Sequence, residues 1–441
     1  MLNLIPKEAE FIINKLHDCG YEAFLVGGCV RDMLMGTTPN DWDITTNALP
    51  QDVVNIFPTV IETGIKYGTV TVIINHLPFE VTTYRVDGDY NDNRRPKDVL
   101  YTNSLTKDLS RRDFTVNAMA FNRKDGLIDP FGGKEDIQNK ILKCVGNPTN
   151  RFNEDSLRIL RALRFASTKG FAIDPITNKA ILKQYTLMDK LSTERILSEI
   201  QKLLTGDFVY SVLTEYAEVI TFVLPDLKPM IGCKQNNPHH KYDVWAHTCN
   251  TVKNVPPKLT LRLAALFHDA GKPKTKTTEN GVDHFYGHAK ESEKIATNTL
   301  SRSSNDLVKS VANLVKHHDT DINDRKSIKR MVSKFGLEQI QDLLILKKAD
   351  MLAQSGFRKE EKTRIIKEAE KILNDLKQEN ACFKLKDLKI NGKDLIDIGY
   401  NQGKHLGKTL HKIFQLVLDD ELPNNKKVLI EKARELKKTT M

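Results

Sequence analysis

The sequence predicts an α+β fold: a head with a mixed sheet, followed by a long all-α remainder. Strand-like and helix-like segments alternate up to about residue 150, and helical periodicity dominates after it. Near the start, Leu25–Gly36 (LVGGCVRDMLMG) runs from an apolar strand through a Gly-Gly turn into a helix. Two aspartates flanking one residue follow in Asn40–Ile44 (NDWDI). At 441 residues the chain is too long for one core, so several domains are expected.

The elements follow in order. Ala23–Gly28 reads as a strand, Val30–Met35 as a helix and Trp42–Thr46 as a second strand. Gly68–Ile74 and Phe79–Tyr84 are β-branched-rich runs joined by Asn75–Pro78, a hairpin signal. Asp87–Lys97 (DGDYNDNRRPK) is polar and lacks apolar anchors, which predicts a mobile loop. A helix over Arg111–Phe121 and a turn-rich hairpin around Asp125–Gly126 and Asp129–Gly133 complete the head. Helical segments then cover Asn153–Ser167, Ile176–Gln184 and Thr193–Leu204 and continue to the end, with no internal repeat. Two charged stretches, Arg358–Lys377 and Asn424–Lys438, read as solvated helix faces with a minor share in polyanion binding.

Composition narrows the class. No apolar run approaches the ~20 residues needed to span a bilayer. The first twenty residues are amphipathic (Leu4, Ile5, Phe11, Ile12, Leu16) and lack the continuous apolar core of a signal peptide. Six scattered cysteines with no Cys-x-x-Cys pair suit a reducing cytosol and argue against a zinc ribbon or a disulfide framework. A net charge of +10 favours a polyanionic partner, of which nucleic acid is the commonest.

The motifs sharpen this. Gly27 and Gly28 let the backbone approach a phosphate, and Arg31 lies close enough to pair with it. Asp41 and Asp43, two apart, share one face of a strand and offer Mg2+ hard oxygen ligands. The segment resembles the signature of polymerase-beta-like nucleotidyltransferases, and more closely that of class II tRNA nucleotidyltransferases and bacterial poly(A) polymerases. Arg111–Asn117 (RRDFTVN) reads either as a capped helix start or as a triphosphate and ribose grip. It resembles the second signature of the same family, which makes Arg112 a nucleotide contact.

Arg151–Phe165 (RFNEDSLRILRALRF) follows. At ~100° per residue Phe152, Ile159, Leu160 and Leu163 share one face, while Asp155, Arg158 and Arg161 lie opposite. One reading is an ordinary (i, i+3) ion pair. The other is chemical. A carboxylate only accepts hydrogen bonds and a guanidinium only donates them. An Asp–Arg pair held in one plane therefore matches cytosine and adenine. Against guanine and uracil it leaves unpaired polar groups, at a cost of roughly 1–3 kcal/mol each. The string matches the family's Glu-Asp-x-x-Arg signature. The resemblance implies nucleotide contacts at Gly28, Arg31, Arg112, Asp155, Arg158, Arg161 and Arg164, with Asp41 and Asp43 as magnesium ligands. Glu80 is either a third carboxylate of that site or an ordinary edge-strand glutamate.

The resemblance is close over residues 20–205 and returns in Ile390–Leu395 (INGKDL) with Gly399, Gly403 and Gly407, similar to the tail of CCA-adding enzymes. It implies a nucleotidyltransferase head at 1–145. A helical neck with the base-selecting helix at 146–230, a body at 231–355 and a tRNA-binding tail at 356–441 would form an elongated all-α remainder. The implied activity is template-independent addition of C, C and A to tRNA from CTP and ATP in the cytoplasm, with no membrane partner. A poly(A) polymerase is an alternative.

The body carries its own pattern. His247, His268, Asp269 and Asp350 follow the core pattern of the His–Asp (HD) phosphohydrolase superfamily, and the extra histidines of its dinuclear members correspond to His288 and His317. Neutral imidazoles suit Mn, Fe, Ni, Co or Zn better than Mg, and such a metal activates water against a phosphoester. The body is then either a metal-dependent phosphodiesterase or phosphatase, in the alternative reading the main activity with the head serving to bind RNA, or a degenerate domain kept for RNA shape.

Overall fold

The computed structural model describes residues 4–87, 90–91, 95–96, 99–322 and 324–438. The chain forms two compact units, Met1–Pro225 and Asp226–Met441.

In the first unit seven strands make one mixed sheet. Their spatial order is Gly126–Ile128, Ala120–Asn122, Ala23–Val26, Asp43–Thr46, Leu77–Thr83, Thr69–Ile74 and Val60–Ile61. Neighbours are antiparallel except Asp43–Thr46 and Leu77–Thr83, which run parallel with Asp43 opposite Glu80. Ala23–Val26 is buried on both faces. Ala23 and Leu25 pack with Ile12, Leu16, Ile44 and Val81, while Phe24 and Val26 pack with Tyr84, Leu109 and Val145. The hairpin forms as expected, with Asn75 and His76 at φ 50° and 67°, the turn geometry that matches strand twist. The second strand begins only at Asp43, so Asp41 precedes it instead of sharing it.

The helix expected over Arg111–Phe121 does not form. The helix there is Leu105–Ser110, capped by Ser104, whose hydroxyl accepts from the Lys107 amide. The following backbone is used elsewhere. Thr115 donates to the Lys143 carbonyl, Val145 donates to the Asp113 carbonyl, and the Phe114 amide donates to the Asp113 carboxylate. These bonds take the groups a helix would need. In the loop 87–97, Tyr90–Asn91 pairs with Arg95–Pro96; its expected mobility concerns residues that lie mostly outside those described.

The helix expected over Asn153–Ser167 is two, Pro148–Glu154 and Leu157–Lys169. Asp155 stands at the break with φ −141°, and its Oδ1 accepts from the Leu157 amide at 3.1 Å. That bond opens the second helix as a cap does. Ile159, Leu160 and Leu163 are fully buried, as the periodicity predicts. Strands also persist beyond residue 150. Ala172–Ile173 pairs in parallel with Ile141–Leu142, and Thr277–Glu279 pairs with Val282–His284 around an Asn280–Gly281 turn.

The second unit is otherwise helical. Val244–Asn254, Leu259–Phe267, His288–Thr299, Asn305–His317 and Leu337–Ala353 bring its histidines together. The charged stretch at 358–377 lies on the helix Lys359–Gln378, which buries Ile366, Ala369, Leu373 and Leu376 and solvates the rest. Lys426–Lys438 packs Leu429 and Ala433 into a separate core with Leu395, Ile413 and Phe414. Among the described residues no helix is long and apolar enough to cross a membrane.

Candidate functional site

The head site is built at one end of the parallel strand pair. Asp43 opens its strand, Glu80 stands opposite it in register, and Asp41 lies two residues upstream. Burial raises the Asp43 carboxyl above its ordinary value; Arg112 opposes the rise, and the charges of Glu80 and Asp41 add to it. Asp41 and Glu80 thus add negative charge around Asp43, which Arg112 offsets, and carboxylate oxygens of this kind suit a divalent cation. Gly27 makes room for that guanidinium. It has φ 79°, and a Cβ there would stand 2.9 Å from Arg112 Nη1 and 3.8 Å from Asp43 Oδ2. Arg112 Nε is buried with no hydrogen-bond partner among the described residues.

The same unit holds a cluster of arginines around Phe165. Arg31, Arg161 and Arg164 carry their guanidinium carbons 5.0, 5.7 and 4.5 Å from the centre of the Phe165 ring. Arg31 donates to Asn117 Oδ1 at 2.6 Å and to Asp32, Arg161 donates to Asp113 at 2.6 Å, and Arg164 pairs with Glu199 at 3.2 Å. Burial works against ionisation of Asp113, yet Arg161, Asn117 and Arg158 hold its carboxyl well below the usual range. The cluster brings Gly28, Arg31, Arg161 and Arg164 into one region, as the motifs predict. Three guanidiniums around one ring suit an anionic ligand.

The predicted Asp155–Arg158 pair is not formed. Because the helix breaks between them, Asp155 does not sit three residues below Arg158 on one face. Its carboxylate is held by Arg195 Nη2, at 2.9 and 3.3 Å. Arg158 is 8% exposed; it donates to Glu154 Oε2 at 2.6 Å and to the carbonyls of Arg151 and Arg111.

The second unit holds two adjoining triads, His247–His268–Asp350 and Asp269–His288–His318, each with its donor atoms within 4.8 Å of one another. His247 Nε2 lies 2.9 Å from Asp350 Oδ1, and His288 Nε2 lies 3.2 Å from His318 Nε2. Asp269 faces both: Oδ2 is 3.2 Å from His268 and Oδ1 is 3.5 Å from His288. The Nδ1 atoms of His268, His288 and His318 bond the carbonyls of Ala265, Phe285 and Val315 at 2.7–2.8 Å. That fixes the tautomer with Nδ1 protonated and turns bare Nε2 lone pairs inward, as carbonyl bonds to Nδ1 do for metal-binding histidines. The residues present therefore fit a metal.

His317 is not part of this set. It pairs with Thr320 Oγ1 and stacks near Phe335, and His318 takes the position expected for it. The signal was in the chain: Val311, Val315 and His318 follow the buried face of the helix at i, i+4 and i+7. Lys272, 5% exposed and 2.8 Å from both Asp269 and Gln235, also belongs to the centre and carried no motif of its own.

Comparison with known proteins places these features. Residues 23–143 match the model of the Poly A polymerase head domain. Residues 170–230 match that of the Probable RNA and SrmB-binding site of polymerase A, and residues 288–433 that of tRNA nucleotidyltransferase domain 2. The chain is 42% identical to the CCA-adding enzyme of Geobacillus kaustophilus over 57% of its own length and 65% of that protein. It is 47% identical to that of Geobacillus stearothermophilus over 50% and 55%. It therefore spans about half to two-thirds of the length of these curated relatives. It is 32% identical to the CCA-adding enzyme of Limosilactobacillus reuteri over 99% of this chain and 98% of that one. The crystal structure of Bacillus stearothermophilus CCA-adding enzyme in complex with CTP matches with TM-score 0.71 and 30% identity, covering 98% of each chain.

Proposed function

The chain belongs to the family of CCA-adding enzymes, and from that premise we propose that it adds C, C and A to the 3′ end of tRNA from CTP and ATP. The observation that carries the reading is the head geometry: Asp43 in register with Glu80, Asp41 beside them, and Arg112 in the space that Gly27 leaves. Asp41, Asp43 and Glu80 would hold Mg2+, which when bound neutralises triphosphate oxygens and favours the attacking hydroxylate. Gly28 admits the phosphates to the backbone, and Arg31, Arg112, Arg161 and Arg164 pair with them and with the ribose. The tRNA 3′-hydroxyl attacks the α-phosphate, and pyrophosphate leaves. Asp155 accepts from the exocyclic amino group of C or A, and Arg158 stiffens the wall behind it. The neck, body and tail (146–230, 231–355, 356–441) hold the tRNA through phosphate contacts and shape. Six scattered cysteines without a Cys-x-x-Cys pair favour a cytosolic setting.

A tRNA transcript lacking CCA, incubated with each nucleotide and sequenced at its end, should gain CC from CTP and CCA from CTP with ATP. A run of adenosines from ATP alone would make the protein a poly(A) polymerase instead.

A second reading is favoured by the inward-facing imidazoles of the two triads. We infer a metal-dependent phosphohydrolase centre of HD type, with Mn, Fe, Ni, Co or Zn held by His247, His268, Asp269, His288, His318 and Asp350. Incubation with 2′,3′-cyclic nucleotides or phosphate esters and Mn, Ni or Co should release product. Metal-loaded protein that releases none would make this centre structural.

A further inference from the structure

The base-selecting carboxylate stands at a joint between two helices, and groups beyond its own residue have to hold it. Two groups do. The Leu157 amide donates to Asp155 Oδ1 at 3.1 Å, and Arg195 Nη2 bridges Oδ1 and Oδ2 at 3.3 and 2.9 Å. Arg195 is the third residue of the helix Thr193–Leu204, a rigid support 40 residues downstream. Arg158 is not available for the task, since its guanidinium already serves Glu154 and two backbone carbonyls. Arg195 Nη1 is buried with no hydrogen-bond partner among the described residues. A buried donor left unpaired is costly, and a substrate atom would satisfy it.

We propose that Arg195 is the positioning residue for base choice. It fixes the Asp155 carboxylate in one plane. The carboxylate then accepts from the amino group of C or A and repels the carbonyl of U or G. This rests on the reading of Asp155 as the base-selecting residue. A carboxylate free to turn about its side-chain bonds would meet either edge of a base, so losing the clamp should cost discrimination more than turnover.

The test compares Arg195→Ala, Arg195→Lys and Asp155→Ala in the full chain on a tRNA transcript lacking CCA, with kcat/KM measured for CTP and UTP. Arg195→Ala should lower the CTP-to-UTP ratio about tenfold, the scale of one lost specificity contact. Arg195→Lys keeps the charge without the fork and should fall between wild type and Arg195→Ala. An unchanged ratio with both rates lowered alike would show a merely structural role and overturn the proposal. If Arg195→Ala does not fold, Arg195→Gln is measured in its place on the same criterion. Asp155→Ala separates the two readings. Selectivity kept in Asp155→Ala sinks the base-selecting reading itself, whereas selectivity lost there but kept in Arg195→Ala sinks Arg195 alone.

Discussion

Gly27 has φ 79° and ψ −130°, a region that only glycine occupies cheaply, and its missing side chain is where Arg112 passes. Gly27→Ala should add roughly 1–3 kcal/mol of backbone strain and push the guanidinium off the carboxylates. Steady-state incorporation should drop at least tenfold while circular dichroism stays that of a folded chain. The histidines make a sharper pair. His318→Ala should lower bound transition metal, read by elemental analysis after loading, whereas His317→Ala should leave it unchanged. Asp41 and Asp43 stand out as candidates in the sequence because their pairing depends on short spacing, whereas Gly27 reads there as an approach for phosphate and not as the space Arg112 fills. Glu80 was not decided by sequence, because its neighbour Asp43 is supplied by a parallel strand 37 residues away. His318 was hidden behind an adjacent identical residue, and only the register of buried positions on its helix separates the two.

At the scale of elements, hydrogen bonds accepted by single carboxylates decide where helices stop. Asp113 receives the Phe114 amide, Asn117 and Arg161, and so ends any helix that would start at Arg111. Its carboxyl is held far below the usual range, so it binds its proton later in the folded chain than in the unfolded one. The stabilisation is therefore fully present above about pH 4 and drains away as pH falls toward the folded-state value. Asp113→Asn should lower Tm at neutral pH and flatten its fall on acidification, as followed by thermal melts across pH 2–7. Long amphipathic helices such as Thr193–Leu204 were readable to the residue, since periodicity over three turns outweighs local competition. The break at Asp155 was not, because a helix and a helix capped from within share nearly the same apolar spacing.

For the whole molecule, a surplus of ten positive charges over two compact units predicts an electrostatic grip on a polyanion. Affinity for tRNA should fall linearly in log–log form with salt, with a slope of about −0.7 to −0.9 per phosphate contacted; a flat response in filter binding would remove charge from the account. The order of an α/β head before a helical remainder was visible from the sequence. The bipartite centre of the second unit was visible only as scattered histidines until five helices gathered them. The joint at Asp155 also bears on how such a chain can change over generations. One residue inserted into Pro148–Glu154 or early in Leu157–Lys169 would rotate everything beyond it by ~100°, carrying Asp155 away from Arg195 or Phe165 away from Arg31. A substitution on the solvated face of either helix disturbs neither. Descendants of this chain are free to respell the solvated faces of these two helices but not to lengthen them, so residue count is guarded there along with the buried letters.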